Sequence, residues 1–302
     1  MTAAATRKFN ALLTSFERRR PMRAGSLIVT IYGDAIVPRG GSLWLGTLLD
    51  MMGGFGVEPG LVRTALSRLV ADGWFERTRI GRKSYYRLSA TGAAEFATAT
   101  TRIYRAADPA WSGEMEIAII TTGVAADRAA LRDQMLGEGY GQAAANVMLR
   151  PRTGKAGANA AAPGSPDIIR MAARPESEDK AKALARACWQ LEELDAAYRQ
   201  FLKAFGPVAA EIEDGAPLDD AQAFQLRTLL IHDWRRIVLR DPLLPKVMLP
   251  EDWPGTRALE LVGSIYRQIL GASERWLDRH AVNEDGPIPG PALGLGNRFL
   301  ET

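Results

Sequence analysis

The sequence predicts an α+β chain of three parts: a helix-rich N-terminal domain closing in a short β-hairpin, a mixed middle domain and a helical C-terminal domain. Three observations carry this. The 302 residues exceed what one ordinary hydrophobic core organises. Apolar residues recur at helical spacing from about residue 23 to residue 71, then give way to two short strands over 74–88. From Ser177 the helical period returns and holds to His280. The expected boundaries are 1–106, 107–175 and 176–302.

Composition narrows the class. Hydrophobic residues make up 47% and charged residues 24%, the profile of a soluble globular protein. A single cysteine, Cys188, excludes an intrachain disulfide and a cysteine-rich zinc site, and fits a reducing cytosol. Two histidines, His232 and His280, leave little material for histidine-based metal or general-base chemistry. No catalytic residue, metal ligand or cofactor is assigned. No apolar run approaches the ~20 residues that span a bilayer. The opening segment lacks the long hydrophobic stretch of a secretory signal. A cytoplasmic chain with no membrane partner is expected. The net charge is +3, unevenly spread: residues 1–100 hold 14 Lys/Arg against 7 Asp/Glu, the remainder 24 against 28. A basic N-terminal third suits a polyanion, although a basic surface alone is also ordinary.

The N-terminal elements follow in order. Leu27, Ile28, Ile31 and Ala35 mark a first helix, which Gly33-Asp34 and the Pro-Arg-Gly-Gly at 38–41 are expected to break. Ser42 is placed to cap a second helix, ended by Gly53, Gly54 and Gly56. Glu58-Pro59 opens a third, whose packing face is Leu61, Val62, Ala65, Leu66, Leu69 and Val70. Arg63, Thr64, Ser67 and Arg68 fall on the opposite face. Arginine bonds guanine bidentately and short hydroxyls reach phosphate or base, so this face suits a major groove; it equally suits a solvated helix. Gly73 ends the helix, and a hairpin follows with Arg82 and Lys83 at its basic tip and Tyr85 on its return strand. Helix pair, amphipathic third helix and basic-tipped hairpin, in that order over 23–92, describe a winged helix-turn-helix. Candidate DNA contacts are therefore Arg63, Thr64, Ser67, Arg68, Arg82, Lys83 and Tyr85.

Beyond a boundary at Asp108-Pro109, strands are expected at 114–123, 146–152 and 167–175, with a helix at 126–139 and an Ala/Gly-rich loop at 157–166. In the C-terminal part Leu184, Cys188, Leu191, Leu194, Tyr198, Phe201, Leu202 and Phe205 share a helical face that Gly206-Pro207 is expected to end. This stripe is a candidate dimer surface or the core of its own domain. Two more helices are expected over 218–239 and 254–280. His232-Asp233-Trp234-Arg235-Arg236 admits two readings. Its arginines and indole suit a ligand carrying phosphate and a flat ring, or a buried Trp234 has flanking arginines that hold the 240–255 loop. As a catalytic pair His232-Asp233 lacks a nucleophile at recognisable spacing.

Several of these segments, VRTALSRLVADGW, RTRIGRKSYYRLSATG and YGDAIVPRGGSLWLGTLLDMMGGFGV, resemble the phenylacetate-degradation repressor (PaaX) family of bacterial regulators. HDWRRIVLRDPLLPKVMLPEDWPG, at 232–255, is similar to that family's C-terminal signature. The Ala/Gly-rich stretch 140–180 carries no part of the likeness. The resemblance implies a ferredoxin-like middle domain and a dimeric repressor of an aromatic-acid catabolic operon. It implies operator DNA as partner and an aryl-coenzyme A thioester, such as phenylacetyl-coenzyme A, as the releasing effector. Trp234, Arg235, Arg236, Arg240, Trp253 and Tyr266 are the candidate effector-binding residues, the arginines for phosphate and the rings for flat apolar surface. An effector-independent nucleic-acid-binding protein, a nuclease and a thioesterase are the alternatives.

Overall fold

The computed structural model describes residues 3–19, 21, 23–105, 111–153, 167–213 and 218–300. The expected boundary at Asp108-Pro109 and the loop at 157–166 lie outside the described residues. The chain is α+β, with a helical C-terminal region and, among the described residues, three separate sheets. Residues 1–106, 200–239 and 257–302 group into one compact unit, and residues 107–199 and 240–256 into a second.

The first element is helix α1 (Ala3–Glu17), to which sequence reading assigns no structure. Its Phe9, Leu12 and Phe16 are buried. Helix α2 (Ala24–Ile31) is not broken at Gly33-Asp34. It runs on as a π-turn, Tyr32–Ile36, and a 3₁₀ turn, Val37–Arg39. Gly33 serves closeness, not rupture: a Cβ there would meet the Phe96 ring at 1.5 Å. Ser42 is no helix cap; its hydroxyl donates to Glu284, and Leu43–Trp44 forms a short strand, β1. Helix α3 (Leu45–Gly53) and helix α4 (Pro59–Ala71) follow. The hairpin β2 (Phe75–Ile80) and β3 (Lys83–Leu88) pairs antiparallel, and β1 adds to it in the order β1-β3-β2. Helix α5 (Ala90–Ile103) is capped by Ser89, whose hydroxyl accepts from the Gly92 N–H at 3.0 Å.

In the second unit β4 (Trp111–Ile120) leads to helix α6 (Ala125–Gly137), then β5 (Gly141–Ala144), β6 (Val147–Thr153) and β7 (Ile168–Ala173). All pairings are antiparallel, in the order β5-β6-β4-β7. The edge strand β5 is absent from the sequence reading, because Gly-Gln-Ala-Ala carries no alternating apolar signal. Ala118, Ile120 and Met148 of the sheet pack with Met135 of α6 and Tyr140.

Helix α7 (Glu178–Cys188) breaks at Trp189, and helix α8 (Leu191–Glu213) then runs straight through Gly206-Pro207. Phe205, Val208 and Ala209 are buried on either side of that proline, and their packing overrides the lost backbone donor. Leu191, Leu194, Tyr198, Phe201 and Phe205 of the apolar stripe are buried inside the chain itself, so the stripe is core. Helix α9 (Asp220–Val238) begins with a reciprocal cap between Asp219 and Gln222, and helix α10 (Pro254–His280) ends at a small hairpin, β8 (Val282–Asn283) and β9 (Gly286–Pro287). Among the described residues no helix is long and apolar enough to cross a membrane.

Candidate nucleic-acid interface

Helix α4 presents two unlike faces. Val62 and Leu66 are fully buried and pack toward α2 and α3, whereas Arg63, Thr64, Ser67 and Arg68 are all exposed. At positions i, i+1, i+4 and i+5 these four side chains share one outward row. Thr64 Oγ1 donates to the Gly60 carbonyl at 3.0 Å, which leaves that oxygen an acceptor. Leu61, assigned to the packing face, is 41% exposed: it stands at the edge of the buried stripe.

The end of α4 is tied to the hairpin. The Gly73 N–H reaches the Val70 carbonyl and the Trp74 N–H the Leu69 carbonyl, with Gly73 at φ +75°, a left-handed turn that a side chain would strain. Ser89 then donates through Oγ to the Gly73 carbonyl at 2.5 Å, and its N–H reaches the Trp74 carbonyl at 3.0 Å. The hairpin base is thus bonded to the helix terminus, which fixes the tip relative to the α4 row. At the tip Arg82 is exposed, and Lys83 holds its ammonium 5.0 Å over the Trp44 ring. Arg77, Arg79 and Arg87 are exposed along the strands. Tyr85 differs from its neighbours in the candidate set: it is only 7% exposed, paired between Trp44 and Thr78, and its side chain belongs to the packed sheet.

Behind this surface lies a buried ionic network in the same unit. Asp34, on the π-turn, accepts from Arg227 Nε at 2.6 Å, Arg298 Nη1 at 2.8 Å, Tyr104 Oη at 2.6 Å and Tyr266 Oη at 3.1 Å. Arg227 also donates to Glu274, which accepts from Arg39 in turn, and Arg39 reaches Asp278 at 2.8 Å. Arg227 and Arg39 are almost wholly buried. Burial pushes the Tyr104 hydroxyl well above its ordinary pKa and that of Tyr266 up to about 12, so both stay protonated donors. The network ties the turn after α2, and hence the frame carrying α4, to α9 and α10.

The motif at 232–236 joins the same frame. Asp233 takes a bidentate pair from Arg19 at 2.5 and 2.8 Å, and Trp234 Nε1 donates to the Ile103 carbonyl at 2.7 Å. Arg235 donates to Thr30 Oγ1 and to Ser26, each at 2.7 Å. These bonds run to α2, α5 and the residues after α1. His232 Nδ1 lies 3.1 Å from Thr30 Oγ1, whose one proton goes to the Ser26 carbonyl, so Nδ1 carries the hydrogen. Burial pushes His232 down to about 3, helped by Arg235, Arg236 and Arg19 and opposed by Asp233. An unfolded histidine takes its proton near pH 6.5. Stability from this group is therefore full above pH 6.5 and lost as pH falls toward 3. At pH 5 the loss is about 2 kcal/mol. Urea midpoints at pH 7.5 and pH 5 should fall further apart for the wild type than for His232→Asn; equal differences would show that His232 is not the group titrating.

Two family models match the chain. One for PaaX-like protein matches residues 23–92, from the start of α2 to the first turn of α5, and one for PaaX-like protein C-terminal domain matches residues 189–279. The "Transcriptional repressor PaaX" of Escherichia coli (strain K12) is 35% identical over 289 residues, covering 92% of this chain and 90% of that protein. The chain belongs to the PaaX family. It is a transcription regulator and not an enzyme. Among solved structures, an uncharacterized protein from Mycobacterium tuberculosis covers 75% of this chain and 90% of its own at 24% identity, with a TM-score of 0.49.

The candidate effector residues divide between the two units. Trp234 and Tyr266 are buried in the core of the first, and Arg235 is engaged with α2 there, next to exposed Arg236. Arg240 and Trp253 belong to the second. Trp253 packs on Tyr198 at 5.9 Å between ring centroids, and Asp252 pairs with Arg199 at 2.7 Å, so the Asp-Trp-Pro-Gly segment is bonded into its own unit. Arg240 lines a cavity of that unit. Among the described residues no three His, Cys, Asp or Glu gather as metal ligands.

Proposed function

We propose that α2, α3 and α4 with the β2-β3 hairpin form a winged helix-turn-helix. On this reading the chain binds double-stranded operator DNA and represses genes for degradation of a phenylacetate-like aromatic acid. An aryl-coenzyme A thioester releases it, and it acts as a homodimer on a pseudo-palindromic site. The observation that carries this reading is the outward row Arg63, Thr64, Ser67 and Arg68, bonded through Gly73 and Ser89 to a basic-tipped hairpin. The name of the Escherichia coli relative supports repression, and the order β5-β6-β4-β7 with α6 after β4 supports a ferredoxin-like middle domain. For release, the thioester must prefer the DNA-incompetent conformation; a hundredfold preference corresponds to about 2.7 kcal/mol, and DNA must then weaken thioester binding equally.

Footprinting on the promoter of an aromatic-acid catabolic operon tests the reading. The expected result is a two-half-site footprint about one helical turn in repeat, lost on addition of phenylacetyl-coenzyme A, with affinity at least ~10³ above non-specific DNA. Uniform coverage without sequence preference would contradict it. The wing has its own signature. Arg82→Ala with Lys83→Ala should weaken specific and non-specific DNA alike and flatten the slope of log affinity against log salt by about 0.9 per lost phosphate contact. An unaltered slope would mean that the hairpin tip points away from DNA.

A further inference from the structure

We propose that a cavity of about 380 Å³ in the second unit binds the ring and acyl group of an aryl thioester whose anionic remainder lies at the cavity mouth. Tyr140, Trp189 and Leu194 line the cavity, and all three are buried, two of them aromatic. Trp189 is set in place, with Nε1 donating to the Gly139 carbonyl at 3.1 Å and its ring against Gly141, where a Cβ would come within 2.6 Å. The Tyr140 hydroxyl is already bonded to Glu116 at 2.7 Å, so this residue brings its ring and not a free hydroxyl. Such a surface favours a planar apolar group, and the volume lies at the small end of ligand sites. It accommodates a substituted ring with its acyl carbon and leaves a nucleotide outside.

The mouth is polar. Arg240 and Glu193 are both exposed lining residues, and Gln142 is a half-buried one. A free aryl carboxylate would have to give up its hydration to enter. A thioester instead brings a neutral carbonyl, for which Gln142 is a donor, and keeps its phosphates outside, within reach of the Arg240 guanidinium. This inference rests on the reading that an aryl thioester releases the chain from DNA, and it names where and by which end that ligand is held.

Cys188 lines the same cavity and is the only cysteine of the chain, so its alkylation by iodoacetamide reports occupancy without any substitution. Phenylacetyl-coenzyme A should slow alkylation in proportion to the fraction bound by calorimetry, whereas acetyl-coenzyme A, which has no free thiol to consume the reagent, and phenylacetate at equal concentration should not. Arg240→Gln should weaken thioester binding about tenfold. Binding by calorimetry with unchanged Cys188 alkylation would overturn the cavity while leaving the effector reading intact. Absence of thioester binding would remove both. Protection by phenylacetate equal to that by the thioester would overturn the ligand class.

Discussion

Replacing Arg227 by alanine is expected to cost about 3–5 kcal/mol of stability, because a buried pair broken on one side leaves its partner charged and unsolvated. Arg227 is fully buried between Asp34 and Glu274. Arg298 still faces Asp34 and Arg39 still faces Glu274, but three carboxylates of the network, Asp34, Glu274 and Asp278, would then be balanced by two guanidinium groups. Urea unfolding of wild type, Arg227→Ala, Asp34→Asn and the double variant should give the double variant less destabilisation than the sum of the singles, a coupling of at least ~1 kcal/mol. The same Arg227 variant should bind DNA more weakly, since the π-turn held by Asp34 continues the helix on which α4 packs. A loss below ~1 kcal/mol, with additive singles, would contradict the assignment of this network as the joint of the unit.

The second large effect falls on DNA affinity. Arg63 and Arg68 lie on one exposed face of α4, five residues apart and so about 7.5 Å along the axis, a spacing close to two base-pair steps of ~3.4 Å each. Each is expected to contribute about 1–3 kcal/mol of discrimination, so the double alanine variant should lose from roughly 30-fold to ~10⁴-fold in operator affinity. Urea midpoints should stay at the wild-type value, because neither side chain packs in the fold. Fluorescence anisotropy with labelled operator measures this directly. Unchanged operator affinity in the double variant would remove α4 as the reading helix.

What sequence reading could reach followed from local signals. Helix α4 and its hairpin were legible because their periods, 3.6 and then 2, act over neighbouring residues, and because Pro59 and Gly73 punctuate the ends. The exposed row of α4 followed from the same period. Long-range partners were not legible. Gly33-Asp34 reads locally as a helix break, and the partners that make the helix worth continuing there are distant in sequence: Tyr104, 70 residues away, and Arg227, Arg298 and Tyr266, each more than 190. Pro207 misled for the same reason, as did Ser42, whose partner is Glu284. The aromatic and basic residues at 232–236 and 266 looked like ligand groups because sequence cannot tell a ring facing a cavity from one facing a core. Trp234 and Tyr266 are core. Arg240 borders a cavity, and Tyr140 and Trp189, which line it with Arg240, carry no sequence signal that joins them to it.

The most direct test of the central claim, that the outward face of α4 lies in the groove, is site-specific photocrosslinking to operator DNA. A photoreactive side chain at Ser67 should give adducts to bases within each half-site, whereas one at exposed Gln268 on α10 should give none. Adducts from position 268 with none from position 67 would contradict it.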